Sequence, residues 1–152
     1  MLNHGYFSGA WSMTDTRTYR TAAACLLAGI DNKRFNEAVA KEHYTCAPAS
    51  RRGSARIFTE TEVVSLFVYA RLLEQGIQQR VAGHVACQVL EEVKKSPDAN
   101  EVRVRKFEEK SGAEKVGEED SFEAHIHWVF DVRGIREYIR GANLDDVGRD
   151  SA

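Results

Sequence analysis

The sequence predicts an α+β chain in which four helices and a small basic hairpin come first and a β-hairpin with a closing helix comes last. Three observations carry that prediction. Apolar residues recur at three- and four-residue spacing through 21–42 and 59–95. They alternate with polar ones through 101–107 and 122–130. The turn-rich run Ser96-Pro97-Asp98-Ala99-Asn100 separates the two regimes. With 152 residues, 43% of them hydrophobic, the chain can bury a core without staples. No apolar run is long enough to span a bilayer, and Met1 to Met13 lacks the basic start and apolar centre of a secretory signal, so a cytoplasmic protein is expected.

Residues 1–18 are expected to form a flexible arm, because Gly5, Ser8, Gly9 and Ser12 interrupt it and Tyr6, Phe7 and Trp11 follow no period. Thr21 is placed as the cap of a helix through Ala28, closed by Gly29. Asp31 caps a second helix from Asn32 to about Lys41, with Phe35, Ala38 and Val39 as its buried stripe. Asn32, Lys33, Asn36, Glu37 and Lys41 then face outward, with Arg34 at the border. Those side chains can reach base edges and phosphates; a helical hairpin with a soluble face is the plainer reading.

The stretch that organises the chain is Arg51-Arg52-Gly53-Ser54-Ala55-Arg56-Ile57-Phe58-Thr59-Glu60. Two arginines, a Gly-Ser turn, a third arginine and two β-formers predict a basic hairpin. Guanidinium forks match phosphate geometry, although an exposed loop with solvated arginines has the same composition. Thr59 and Glu62 stand in capping-box spacing before Val63, Leu66, Phe67, Ala70 and Leu73, and this helix ends at Gly76. The next carries Val81, Ala82, Val85, Ala86, Val89, Leu90 and Val93 on one stripe.

Beyond Pro97, Val102 and Val104 point inward from a first strand, and Phe122, Ala124, Ile126, Trp128 and Phe130 form one face of a second. Glu108 to Ser121 reads as a polar loop between them. Asp131 caps a last helix through Arg140, with Ile135, Tyr138 and Ile139 inward. A hairpin and one helix are too small to stand alone, so the face centred on Trp128, Phe130 and Tyr138 must cover the first unit, meet a partner or enclose a ligand.

Charge is unevenly divided. Residues 14–58 carry eight Lys and Arg against four Asp and Glu, whereas 96–152 carry nine against fourteen. The front of the chain therefore suits an anionic partner and the back does not. Cys25, Cys46 and Cys87 lie far apart without C-x-x-C spacing, which predicts free, buried thiols. His84 and Cys87 form only a two-residue pair. His125 and His127 share a strand face, with Glu123 or Asp131 as a third ligand for a metal-dependent enzyme or sensor. No cysteine or third histidine lies nearby in sequence, so an exposed polar face is the favoured reading and no metal or other cofactor is expected. No phosphate loop, nucleophile elbow or paired-carboxylate helix motif is present, and the chain is not expected to be an enzyme.

Tyr19-Arg20-Thr21 with the Ala-rich helix, Gly29-Ile30-Asp31 with the second helix, Arg51 through Val63, and Leu72-Leu73-Glu74-Gln75-Gly76-Ile77 together resemble the winged helix-turn-helix of the MerR family over about residues 19–90. The resemblance implies a DNA-binding unit at 19–95, and the pattern of 96–152 is read beside it as a small α+β unit for dimerisation or partner binding. The resemblance also implies Asn32, Lys33, Arg34 and Asn36 in the major groove, Arg51, Arg52, Ser54 and Arg56 on a wing, and Arg20 on backbone, with the outward Lys41 counted among the DNA-binding residues. Phe35-Asn36-Glu37-Ala38 stands where the family usually carries an Arg-Tyr-Tyr run. Pro97 leaves no heptad run for the family's long dimerisation helix, which points away from a metal or drug sensor.

The function expected is sequence-specific binding of double-stranded DNA by a dimeric bacterial or phage transcription regulator that reads two half-sites. A phage DNA-packaging or recombination-directionality factor would use the same surface. A protein-interaction adaptor or inhibitor would instead use the hairpin and the Trp128 face.

Overall fold

The computed structural model describes residues 17–50, 52–105, 127–142 and 144. Its elements run β1 (Thr18–Arg20), α1 (Thr21–Ala28), α2 (Asn32–Ala40), β2 (Ile57–Thr59), α3 (Glu60–Glu74), α4 (Gln79–Lys95), β3 (Glu101–Arg105), β4 (His127–Asp131) and α5 (Val132–Gly141). The fold is mixed α+β, with five helices and two antiparallel two-stranded sheets among the described residues. None of these helices is long and apolar enough to cross a membrane.

α3 is the axis of the structure. Val63, Val64, Leu66, Val68, Tyr69, Ala70 and Leu72 are buried around nearly its whole circumference, the mark of a helix enclosed by other elements. Its start is the expected capping box: Thr59 Oγ1 accepts from the Glu62 N–H, and Glu62 accepts from the Thr59 N–H. α1, α4 and α5 pack around it.

α1 and α3 end in the same way. Gly29 and Gly76 adopt left-handed backbone, and the amides of Ile30 and Ile77 reach back to the carbonyls of Cys25 and Leu72. At Gly29 a side chain would also collide with Arg71, whose Nη2 lies 2.5 Å from where a Cβ would be. That guanidinium donates to the Ala28 carbonyl at 2.8 Å and lies over the Phe67 ring, fastening the end of α1 to α3.

Two expectations for the front of the chain are corrected. Thr21 is the first helical residue and not the cap; Arg20 holds the cap position, with no side-chain cap bond, because β1 keeps it extended up to the start of α1. The basic hairpin is not self-contained. A turn forms at 52–54, but β2 pairs with β1 in the register Thr18↔Thr59, Tyr19↔Phe58, Arg20↔Ile57. The segment before the turn, Ala47-Pro48-Ala49-Ser50, forms no strand, since it lacks β-formers and Pro48 has no amide to donate. Tyr19 and Phe58 turn their side chains into the core.

The core is continuous across the boundary drawn at 95/96. Val102, Val104, Val132 and Ile139 belong to the same cluster as Phe35, Tyr44, Phe58 and the α3 and α4 apolar residues, so the C-terminal hairpin and helix cover the first unit. β3 and β4 pair from Glu101↔Asp131 to Arg105↔His127. Asp131 caps α5 by accepting the Gly134 N–H at 2.9 Å, as expected.

Trp128 and Phe130 lie half-buried against the core. Tyr138, expected inward, is instead 48% exposed and tilted against Phe67 at 5.5 Å. The stripe Val132, Ile135, Ile139 already fills the buried side of α5. Phe122, Ala124, Ile126 and the 108–121 loop lie outside the described residues, as does the 1–16 part of the N-terminal arm.

Candidate nucleic-acid interface

α2 is held by its inner face. Phe35 is fully buried, edge-on to Phe58 at 5.7 Å and to Tyr44 at 6.0 Å, and Ala38 is buried beside it. The Asp31 side chain accepts the Arg34 N–H at 3.1 Å and fixes the helix start. With those anchors set, Asn32, Lys33, Arg34, Asn36, Glu37 and Lys41 are all exposed. Asn36 reaches Asn32 only at 3.5 Å, a contact weak enough for both amides to turn to another partner. Arg34 is more outward than a border position implies, yet its charge still acts on Tyr69, whose phenol is pushed up by burial and partly brought back by that guanidinium.

The segment behind α2 is built into the core. The Glu42 backbone turns through positive φ, and Tyr44 enters the interior, ring to ring with Tyr69 at 5.1 Å. The Tyr44 hydroxyl meets Ser65 Oγ at 2.8 Å, and Ser65 donates to the Ala86 carbonyl at 2.8 Å. One chain of hydrogen bonds thus joins this segment, α3 and α4, and burial raises the Tyr44 phenol far above its ordinary range. α4 approaches closely only because residue 83 is glycine: a Cβ there would lie 1.6 Å from the His43 carbonyl oxygen. One turn on, Cys87 is disulfide-bonded to Cys46. The expectation of three free thiols therefore fails for this pair, because the fold brings together two residues 41 apart in sequence. Cys25 alone is free, and buried.

Of the proposed wing residues, Arg52 and Ser54 are exposed in the turn, where Gly53 has φ +79°. Arg56 is half-buried, and its Nη1 donates to the Pro48 carbonyl, so it closes the base of the loop. Arg51 lies outside the described residues. Arg20 is exposed at the end of β1, opposite Ile57 and hence beside Arg56, so the β1–β2 pairing brings the basic turn to the start of α1.

A second charged site was missed by sequence reasoning. Glu60, 6% exposed, receives two bonds from Arg140, Nε to Oε2 and Nη2 to Oε1, both at 2.8 Å. Arg136 Nε lies 3.6 Å from the same carboxylate, and its Nη1 donates to the Pro97 carbonyl at 2.6 Å. These groups border a polar cleft of about 320 Å3. Arg136 and Arg140 look like solvated positions on α5, and only the tertiary pairing with Glu60, 80 positions upstream of Arg140, reveals their role.

Among the described residues no group of three His, Cys, Asp or Glu side chains could hold a metal ion. His84 is exposed on α4, while Cys87 is committed to its disulfide. His125 lies outside the described residues, as does the side chain of His127. Comparison with protein-family models and with curated proteins finds no match to this sequence.

The buried thiol gives a pH prediction. Burial, aided by the negative charge of Asp31, raises Cys25 from 9.0 to about 12. A group whose folded pKa lies above its unfolded one contributes stability that is complete below the unfolded value and lost as pH rises through the folded one. Unfolding free energy should therefore fall between about pH 9 and 12. Urea titrations across this range should show a shallower fall for Cys25→Ala; an unchanged fall would contradict the assignment.

Proposed function

We propose that the chain is a sequence-specific double-stranded DNA-binding protein of winged helix-turn-helix type, resembling the MerR family, with α2 as its major-groove helix. The observation that carries this reading is the division of α2. Phe35 and Ala38 anchor it, and the polar side chains of its outer face, Asn32, Lys33, Arg34 and Asn36 followed by Glu37, are exposed behind a three-residue turn from α1. Asn pairs with the N6 and N7 edge of adenine, and Arg or Lys with the O6 and N7 edge of guanine, so the face holds donors suited to base readout. Arg20, Lys41 and Arg52 supply exposed cations for flanking phosphates, with Arg51 and Ser54 proposed beside them. Arg56 has a reduced part in this interface, since the Pro48 carbonyl engages its guanidinium.

Transcription regulation by a dimer is the role proposed for such binding. The test is selection of bound duplexes from a randomised pool, followed by affinity measurements on the Lys33→Glu/Arg34→Glu chain. Reversing both charges should weaken binding at least about 100-fold, since each good base contact contributes on the order of 1–3 kcal/mol and repulsion adds to the loss. Enrichment of paired half-sites would support the dimer. Retention of affinity by the reversed chain would refute α2 as the reading helix.

A further inference from the structure

Cys46 and Cys87 have a setting that accommodates two oxidation states. Their Cα atoms stand 5.6 Å apart, within the normal span of a disulfide, and both residues are partly exposed. Each sulfur also has a hydroxyl partner ready for the dithiol form. Thr45 Oγ1 donates toward Cys87 Sγ at 3.9 Å. Cys46 Sγ lies 3.8 Å from Ser65 Oγ, whose own proton goes to the Ala86 carbonyl, leaving an oxygen lone pair for a Cys46 S–H. The bridge is not the sole anchor of this segment, because Tyr44 packs it into the core against Phe35 and Tyr69. Cys25, by contrast, is sealed in the interior.

We propose that Cys46 and Cys87 form a reversible dithiol–disulfide site that fastens the segment behind α2 to α4 when oxidised and loosens it when reduced. The oxidant is a low-molecular-weight disulfide. The Cys87 thiolate, favoured by the Thr45 donor, attacks one sulfur of that disulfide and expels the first thiolate. Cys46 then attacks Cys87 Sγ, forming the internal bridge and expelling the second. Two electrons pass to the small disulfide, and the two cysteine protons end on the two thiols released; reduction reverses both steps. Residues 41–50 connect α2 to the basic turn, so the site would control how firmly these two parts are held. This control of the interface rests on the DNA-binding reading; the thiol chemistry does not.

The test equilibrates the intact chain in buffers of varied reduced-to-oxidised glutathione ratio, quenches with acid and maps thiols by differential alkylation and peptide mass spectrometry. Cys46 and Cys87 should pass together between bridged and free forms across the series, with Cys25 a thiol throughout. Closing a loop of 41 residues should raise the melting temperature of the bridged form by on the order of 10 °C, and Cys87→Ser should melt like the reduced chain. The proposal fails if the bridge never forms, if it resists every reduced ratio, if only one cysteine reacts, or if both forms melt together. Duplex affinity is then measured on each form: a change between them supports the link to α2, and equal affinity overturns it. No binding by either form refutes the DNA reading, while the alkylation map still decides the thiol site.

Discussion

Replacing Glu60 by alanine should lower the free energy of unfolding by about 3 kcal/mol, the low end of the range for breaking a buried ion pair. The carboxylate is buried at the first turn of α3 and is shared by Arg140 and Arg136. Removing it takes away the carboxylate that the two guanidiniums share on a partly dry surface. Arg140 keeps a third of its side chain in water, which limits the loss. The helix start would also lose a favourable negative charge. Urea unfolding of Glu60→Ala, Arg140→Ala and the double variant should give strong coupling. Glu137→Ala, which breaks only the exposed pair with Arg133, should cost no more than about 0.5 kcal/mol. Equal losses at Glu60 and Glu137 would mean that the clamp does not hold α5 to α3.

Gly83→Ala should destabilise the protein by about 3 kcal/mol, where overpacking is the governing effect. In an unhindered helix the same change would stabilise by up to about 1 kcal/mol, so the sign itself is diagnostic. The new methyl would meet the His43 carbonyl at 1.6 Å, a backbone atom that cannot rotate away. α4 would have to retreat from the segment behind α2, opening the contact that Cys46–Cys87 and the Tyr44–Ser65–Ala86 hydrogen bonds now close. Chemical denaturation reads the energy directly. A stabilised Gly83→Ala chain would show that α4 and residues 43–44 are not in close contact.

What the sequence disclosed was local. Asp31, Thr59 with Glu62, and Asp131 each stand at a helix start where a side-chain oxygen meets an amide a few residues on, and all three caps form. The α4 stripe and the inward Val102 and Val104 follow from periodicity alone. What was hidden was non-local. β1 is three residues long and is defined by its pairing with β2, which sets Tyr19 opposite Phe58. The Cys46–Cys87 bridge and the Glu60–Arg140 clamp join residues 41 and 80 apart, and no local pattern anticipates either. For the interface, the outer face of α2 was legible because Phe35 and Ala38 fix its rotation. The use of Arg56 was not, because its carbonyl partner on Pro48 is set by the course of the loop.

The most direct test of the account is fluorescence-anisotropy titration of a selected duplex, and of a single strand of the same length, over a series of salt concentrations. Arg20, Lys33, Arg34, Lys41 and Arg52 are exposed cations of the proposed interface. If they displace counterions from DNA, the logarithm of affinity should fall linearly with the logarithm of salt, losing about 0.9 per phosphate engaged. The account predicts a slope of about −3 to −5 with duplex preferred over single strand, and a slope shallower by about 2 in Lys33→Glu/Arg34→Glu. No duplex binding at low salt, or binding indifferent to salt and to those two substitutions, would contradict it.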